Sequence, residues 1–327
     1  MSPTSRFAAV APQTRGIRLR GTVAGGLAVL TSLVLAACGS SGGSTSSSGS
    51  SNPLAPSAAK GTVVVGSANF PEDELLAEIY VLALQAKGVK VTSKFNIGAR
   101  EVYYPEVVKG AVSVIPEYNG ALLTTSVDTT STAATTAQVN AALKAKLPSS
   151  VEILNSSTAQ DKDSVTVTQA TAKKYHLTSI ADLKPVAKNF AIGGPPEFKT
   201  RTDGLVGLKK NYGLTFKSFV PLDESGPLTL AALKDGKVQA ADVFTTTPQI
   251  ITDHQVALAD PKFNFAAQNV TPLVYKKAAT TTVVNTLNAI SAKLTTAGLL
   301  AMDKAVILDH ANYSTVAQGW LKAVGLG

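Results

Sequence analysis

The sequence predicts two α/β lobes with a ligand cleft between them. Alternating strand and helix patterns begin at residue 60, the alternation repeats after Asp163, and helical patterns close the chain. Alternating β and α segments favour sheets that are covered by helices, and a cleft between lobes is a usual place for a small-molecule site. The 327 residues, 45% of them hydrophobic and 16% charged, are enough to build the core of one large domain or of two medium domains.

In the first half, β-branched residues alternate with helices that carry recognisable start and stop signals. Proline and acids at 71–74 favour a helix start, and Gly88 favours its end. This βαβαβ order predicts a parallel sheet covered by helices. The predicted elements are strands at Thr62–Val65, Val89–Phe95 and Ser113–Ile115, and helices at Pro71–Ala86 and Arg100–Lys109, the latter containing Pro105.

The second half repeats the order and ends in three helices. A Gly-Gly-Pro-Pro turn at 193–196 follows one of its strands and predicts a rigid turn at the cleft. The predicted strands are Val165–Val167, Phe190–Gly193, Phe216–Val220, Val238–Val243 and Thr271–Tyr275; the predicted helical segments are Thr171–Tyr175, Ser179–Leu183, Asp203–Tyr212, Pro227–Lys234, Val283–Leu294, Gly298–Leu308 and Val316–Val324.

The N-terminus, residues 1–37, has the pattern of a secretory signal. Four arginines and no acid precede an uncharged apolar run, which ends at Leu-Ala-Ala-Cys. The run from Thr22 to Ala37 is shorter than the roughly 20 residues that a membrane-spanning helix needs, so a transmembrane anchor is the less favoured alternative. Without those four arginines the formal net charge of +8 falls to +4. The remaining basic residues are scattered, and no nucleic-acid footprint is predicted.

Cys38 is the chain's only cysteine. Its Leu-Ala-Ala-Cys context resembles the bacterial lipobox, which implies cleavage before Cys38 and lipidation of its sulfur. An intrachain disulfide and a thiolate zinc site are excluded for a single cysteine. Residues 38–59, rich in Gly and Ser, predict a flexible tether, so the protein is expected at the outer face of the plasma membrane, held by its lipid.

Patterns of catalytic and cofactor-binding chemistry are missing from the sequence. The three histidines, His176, His254 and His310, lie far apart and predict solvated side chains rather than metal ligands. Neither a nucleophile elbow, a zinc-protease motif nor a phosphate loop is present. The sequence therefore predicts no cofactor, no metal site and no enzymatic activity.

Several ordered segments resemble the glycine betaine/choline/carnitine-type substrate-binding proteins of ABC importers. Each is short, but together they cover about residues 61–280 in the order and at the separations of that family. They are Gly66–Glu72, Gly98–Glu101 with Ile115–Gly120, Gly193–Phe198 with Arg201–Leu205 and Tyr212–Phe216, Ala241–Thr246, and Gln268–Leu273.

The resemblance implies a type II periplasmic-binding-protein fold, also called a Venus flytrap, that closes over its ligand by a hinge motion. It places lobe 1 at residues 60–160 and 267–327 and lobe 2 at residues 161–266. It also implies that Tyr118 and Phe244 are walls of an aromatic cage for a quaternary ammonium group, and that Arg201 grips a carboxylate. The alternatives are core positions for the two rings, a salt-bridge role for Arg201 and a turn-capping role for Asp163.

The sequence departs from the family pattern at several cleft positions. Asp163-Ser164 and Gln268 stand where further cage aromatics are expected, and Ala68 and Ala121 stand where a lysine and a threonine are common. Tyr80, Tyr103 or Tyr104 are candidates for a missing wall. The predicted ligand-binding set is Asn69, Tyr118, Asn119, Asp163, Ser164, Arg201, Phe244, Thr245 and Gln268.

The predicted function is that of a monomeric, lipid-anchored binding protein that captures a compatible solute and delivers it to an ABC permease and its ATPase. A changed specificity, for a polyol or phenolic solute, is the alternative that the polar cleft positions leave open. A surface sensor and a secreted enzyme on the same fold are the competing classes.

Overall fold

The computed structural model describes residues 61–327. The predicted signal peptide, the lipidation site Cys38 and the tether lie outside the described residues. Within residues 61–327, no helix is both long enough and apolar enough to cross a lipid bilayer.

The described strands form two five-stranded sheets. The first sheet has the order β2-β1-β3-β10-β4 and the second has the order β7-β6-β8-β5-β9. We call the first sheet with its helices lobe 1 and the second sheet with its helices lobe 2. The strands are β1 (Val63–Gly66), β2 (Val91–Lys94), β3 (Val114–Tyr118), β4 (Val151–Ile153), β5 (Val165–Thr168), β6 (Ala191–Gly194), β7 (Ser218–Pro221), β8 (Ala240–Asp242), β9 (Gln255–Ala257) and β10 (Val270–Tyr275).

Both sheets are mixed. The parallel arrangement that the βαβαβ order predicts is confirmed for β1, β2 and β3, whereas β5 and β10 run antiparallel to their neighbours. Strand β1 runs parallel to β2 and β3, whereas β10 runs antiparallel to β3 and β4. In lobe 2, β6 runs parallel to β7 and β8, and β5 runs antiparallel to β8 and β9. The reason lies in the connections: β5 and β10 each enter their sheet from the other lobe, at the edge where the parallel strands end.

The helices cover the sheets, and several begin where the sequence places a signal. Helix α1 has proline in its first turn and three acids beside it, and it packs against α9 and α11. The helices are α1 (Pro71–Ala86), α2 (Arg100–Lys109), α3 (Asn119–Leu122), α4 (Thr136–Lys146), α5 (Gln169–Tyr175), α6 (Leu205–Tyr212), α7 (Pro227–Lys234), α8 (Gln249–Thr252), α9 (Thr281–Lys293), α10 (Thr296–Asp303) and α11 (Tyr313–Ala323).

Separate apolar clusters stabilise the two lobes. In lobe 1, β1, β3 and α1 bury side chains such as Val65, Leu76 and Ile115. In lobe 2, β5 and β6 bury Val165 and Ile192 with neighbouring aromatic rings. Since each lobe has its own core, the boundary between the lobes is free to carry polar and charged side chains.

The two chain segments that cross between the lobes are hydrogen-bonded to each other. The N–H of Val270 donates to the carbonyl of Ala159 at 3.0 Å, and the N–H of Asp161 donates to the carbonyl of Gln268 at 3.2 Å. Gln160 and Asn269 form an antiparallel bridge between these bonds. The crossings therefore lie side by side, while the residue boundaries predicted for the lobes stay a prediction.

Gly120, in α3 of lobe 1, is required because the backbone of the second crossing segment approaches it closely. A methyl group at Gly120 would collide with the carbonyl oxygen of Ala267.

We expect Gly120→Ala to lower the free energy of unfolding by about 1–3 kcal/mol, as substitutions that overpack a site do. Urea denaturation measures this loss. Gly319→Ala is the matched control, because Gly319 lies inside α11 with open space around it, and there we expect a gain of up to about 1 kcal/mol. Equal effects of the two substitutions would contradict this role of Gly120.

Candidate functional site

A narrow cavity lies where the two lobes face each other. Its wall combines aromatic, acidic and basic side chains from both lobes and from the crossings. The lining residues are Phe70, Arg100, Tyr118 and Ala121 of lobe 1, Asp161, Asp163 and Gln268 of the crossings, and Arg201, Glu224 and Phe244 of lobe 2.

The fold brings these residues together because the carboxyl ends of its parallel strands face the boundary. Phe70 follows β1 at the start of α1, Tyr118 ends β3, and Phe244 follows β8. Ligands of open α/β sheets bind outside these strand ends. Three strands of two different sheets therefore each deliver one aromatic ring to the same cavity.

The three aromatic rings form one contiguous cluster. The Phe70 and Tyr118 ring centroids lie 5.9 Å apart with an interplanar angle of 38°, and the Phe70 and Phe244 centroids lie 5.1 Å apart at 65°. The Tyr118 hydroxyl donates to Oε1 of Glu72. Burial raises the pKa of Tyr118 well above its usual range, so the ring remains a neutral phenol.

The two arginines of the cavity are already paired with glutamates. Arg100 donates through Nε to Oε1 of Glu117 at 2.9 Å and through Nη2 to its Oε2 at 3.1 Å. Arg201 of lobe 2 donates through Nε and Nη2 to the carboxylate of Glu101 in lobe 1, at 3.0 and 2.9 Å. The bidentate pair of Arg201 therefore joins the lobes and uses two of the five N–H donors of its guanidinium.

Glu224 is the acidic residue of the cavity that has an unmet oxygen. Its Oε1 lies 4.0 Å from Nη1 of Arg201, and its buried Oε2 has no hydrogen-bond partner among the described residues. Burial raises the pKa of Glu224 to about 7, although Arg201 opposes the rise. An additional positive charge in the cavity would stabilise the ionised form of this carboxyl.

Asp161 and Asp163 add two further carboxyls from the first crossing. Oδ1 of Asp161 accepts from the N–H of Thr246 at 3.0 Å, and burial raises the pKa of Asp161. Gln268 binds Asp163 twice: its Oε1 accepts from the Asp163 N–H at 2.7 Å, and its Nε2 donates to Oδ2 at 2.6 Å. Because both arginines are paired with carboxylates outside the lining, these acids leave the cavity with an excess of acidic groups.

Five of the nine predicted ligand residues line this cavity: Tyr118, Asp163, Arg201, Phe244 and Gln268. The other four lie outside its wall. Asn69 is exposed, and Thr245 accepts from the N–H of Lys162 at 2.9 Å. Asn119 accepts from the N–H of Asn269 at 2.7 Å, and Ser164 donates to the carbonyl of Val243 at 2.6 Å. Asn119, Ser164 and Thr245 thus support the crossings and the strands beside them.

Five lining residues were not among the predicted set: Phe70, Arg100, Ala121, Asp161 and Glu224. Phe70 and Arg100 lie inside segments that resemble the family, so these segments could have identified both residues as candidates for the site. Glu224 follows β7 in a loop that matches no motif, and the sequence holds no sign of it.

The third ring of the cluster is Phe70, rather than any tyrosine proposed for a missing cage wall. Tyr103 donates to Oε1 of Glu117 at 2.8 Å, Tyr80 is buried in the core of lobe 1, and Tyr104 packs against that core. None of the three lines the cavity.

The described residues hold no group of three or more His, Cys, Asp or Glu side chains arranged to bind a metal ion. His176, His254 and His310 are all exposed, in agreement with the solvated side chains that the sequence predicts.

Comparisons with known proteins agree with this geometry. Residues 61–323 match the family of substrate-binding domains of ABC-type glycine betaine transport systems. The glycine betaine-binding protein YehZ of Escherichia coli is 28% identical over 218 residues, which are 63% of this chain and 72% of that protein. The carnitine transport binding protein OpuCC of Listeria monocytogenes is 31% identical over 97 residues, 29% of this chain and 31% of that protein.

Solved structures show the same fold at low sequence identity. A glycine betaine/carnitine/choline ABC transporter protein superposes with a TM-score of 0.62 and 21% identity, over 81% of this chain and 99% of that one. A choline-binding protein in complex with choline superposes with a TM-score of 0.58 and 14% identity, over 80% of this chain and 88% of that one.

The chain belongs to the substrate-binding domain family of ABC-type glycine betaine transport systems, because the match spans most of its length. The two-lobed fold that the sequence predicts is confirmed. The protein is a solute-binding protein rather than an enzyme.

The acidic excess predicts a pH dependence of cation binding. With a pKa of about 7, Glu224 is mostly neutral at pH 6 and mostly ionised at pH 8. The affinity for a small organic cation bound in this cavity should therefore fall by up to about tenfold from pH 8 to pH 6, since each pH unit below the pKa costs up to tenfold. Calorimetric titration at both pH values measures this.

In Glu224→Gln, affinity should be lower at pH 8 and nearly constant across this range. Glu197→Gln is the control, because Glu197 lies 3.8 Å from Arg201 but outside the cavity wall, and it should keep the dependence. An unchanged pH dependence in Glu224→Gln would assign the titration to another group.

Proposed function

We propose that the protein binds a quaternary ammonium compatible solute in the cavity between its lobes, and that it prefers a cation such as choline to a zwitterion such as glycine betaine. The observation that carries the proposal is the cluster of Phe70, Tyr118 and Phe244 in a cavity whose arginines are already paired.

The aromatic cluster suits a quaternary ammonium for a physical reason. Such a group has a diffuse positive charge and no hydrogen to donate, so aromatic faces hold it, at roughly 0.5–2 kcal/mol per ring. Phe70 and Tyr118 come from lobe 1 and Phe244 comes from lobe 2. A solute held by all three rings would bind both lobes at once, which favours the closed arrangement.

The charges favour a cation over a zwitterion. A ligand carboxylate could bind Arg201 through both Nε and Nη2 only by displacing Glu101, which already accepts from these two atoms. It would also meet Asp161, Asp163 and Glu224 in the same wall. Where these carboxyls are ionised, as Glu224 mostly is above pH 7, like charges at close range raise the free energy of the complex.

The pairing of the polar cleft residues weakens the alternative of a polyol or phenolic solute. That alternative rests on four polar residues: Ser164, Gln268, Asn119 and Asp163. Ser164 hydrogen-bonds within lobe 2, Asn119 accepts from the N–H of Asn269, and Gln268 and Asp163 are bound to each other. A hydroxylated solute would have to compete with these internal hydrogen bonds.

The wider biological role is part of the same proposal. Cleavage before Cys38 and lipidation would hold the protein at the outer face of the plasma membrane, with residues 38–59 as tether. The lobes, bounded at about residues 60–160 with 267–327 and 161–266, would close over the solute and present it to an ABC permease and its ATPase. Membership of a transport-system family supports delivery over a role as a sensor.

Substitution of the ring that each lobe contributes tests the proposed cage. Phe70→Leu and Phe244→Leu should each weaken choline binding by about two- to thirtyfold, the equivalent of one cation–π contact. Calorimetric titration of choline into the full-length chain measures the change. Phe263→Leu is the matched control, because Phe263 is 60% exposed and lies outside this cavity. If neither cage variant weakened binding while the control behaved like the parent, the cage would not be the site.

A further inference from the structure

A second cavity, of about 260 Å³, lies beside the solute cavity at the same lobe boundary. Phe70, Phe244 and Glu224 line both cavities and therefore form the partition between them. The remaining wall of the second cavity comes from the start of α1 and the segment after α10 in lobe 1, and from the start of α7 in lobe 2.

The wall of the second cavity is largely apolar. Leu230 of α7 faces it from lobe 2, and Val306, Ile307 and Tyr313 face it from lobe 1. A cavity with such walls takes an apolar body of matching size, because burying that surface removes it from water.

Asp303 is a buried carboxyl on this wall, close to Glu72 and Thr246. It is 1% exposed, and neither Oδ1 nor Oδ2 accepts a hydrogen bond of good geometry among the described residues, although Glu72 and Thr246 lie near enough to act against the rise of its pKa. Glu72 and Glu224 line the same cavity, and Oε2 of Glu224 is likewise unmet. No lysine or arginine lines this cavity.

The carboxyl oxygens of the second cavity favour one kind of cation, and the aromatic cluster of the first cavity favours another. A quaternary ammonium has no N–H and cannot satisfy these acceptors, whereas a primary ammonium carries three donors. A donor that is itself charged makes the stronger kind of hydrogen bond to a carboxylate. Burial raises the pKa of Asp303 to about 8, and an adjacent ammonium would favour its ionised form.

We propose that this second cavity is a binding site for a primary ammonium compound with an apolar body, such as an arylalkylammonium, separate from the quaternary ammonium site. The ammonium would donate to Asp303, and the apolar body would lie against Leu230, Val306 and Ile307. Because the wall comes from both lobes, the occupant binds the arrangement in which the lobes are in contact.

Calorimetric titration of 2-phenylethylammonium into the full-length chain, with choline present at saturation, tests the site. We expect one molecule to bind per chain without displacing choline. Asp303→Asn should weaken this binding by about tenfold or more, the loss of a hydrogen bond between charged groups, and should leave choline binding within about twofold. Ile307→Trp, which fills the cavity from lobe 1, should also weaken the binding of 2-phenylethylammonium.

Two further measurements test whether the charge of the probe is recognised and whether the variant is folded. The neutral 2-phenylethanol is the matched probe, and it should bind at least about tenfold more weakly, since it lacks the charge. Thermal unfolding should show that Asp303→Asn is folded and no less stable than the parent, because the substitution removes a buried titratable group.

Failure of the second site can be distinguished from failure of the proposed function. Absence of 2-phenylethylammonium binding, its competition with choline, or equal binding of 2-phenylethanol would each overturn the second site while leaving choline binding intact. Absence of choline binding itself would instead overturn the proposed function. Unchanged 2-phenylethylammonium binding in both Asp303→Asn and Ile307→Trp would place the probe elsewhere and would also overturn the inference.

Discussion

The hydrogen-bonded contact between the two crossing segments is the constraint on which the site depends. Residues 159–161 and 268–270 run side by side, and each contributes backbone donors to the other. Asp161, Asp163 and Gln268 reach the cavity from these segments, and Asn119 ties the end of β3 to Asn269. The floor of the cavity and the position of Tyr118 are thus fixed by the same few bonds, while the two lobes supply the opposing walls.

Charge pairing inside this frame decides what the cavity can hold. Arg100 and Glu117 form a buried pair, and Glu117 also accepts from the Tyr103 hydroxyl and from the N–H of Tyr118. Breaking such a pair would leave an uncompensated buried charge, so its arginine is held in place. Arg201 belongs to a more exposed pair, since the side chain of Glu101 is 46% exposed. The Arg201–Glu101 pair can open with the lobes more easily than the Arg100–Glu117 pair can be broken.

The helices that could be predicted from the sequence were those whose ends carry strong local signals. Helices α1, α2 and α7 lie at the predicted residues, because proline, acids and glycine mark their ends. Helix α4 was missed because its only fully buried side chains are Val139 and Leu143, too few to give a clear apolar period. The directions of β5 and β10 were not predictable from local patterns, since they depend on which lobe the chain comes from.

The site was predictable only in part, for a related reason. Tyr118, Phe244 and Arg201 stand in recognisable motifs, and the structure brings all three to one cavity. The partner of Arg201 is Glu101, one hundred residues away in sequence, and the unmet oxygen of Glu224 arises from burial. Pairing and burial are properties of the folded chain, so a sequence motif that implies a carboxylate grip could not show that the grip is already occupied.

The relative affinity for choline and glycine betaine shows whether the cavity selects a cation, because the two solutes share a trimethylammonium group and differ in the carboxylate. Calorimetric titration of the full-length chain at pH 8, where Glu224 is mostly ionised, gives both dissociation constants. We expect choline to bind at least about tenfold more tightly, a difference of about 1.4 kcal/mol. Tighter binding of glycine betaine would show that Arg201 leaves Glu101 to hold the ligand carboxylate, and would contradict the claim that the cavity selects for positive charge.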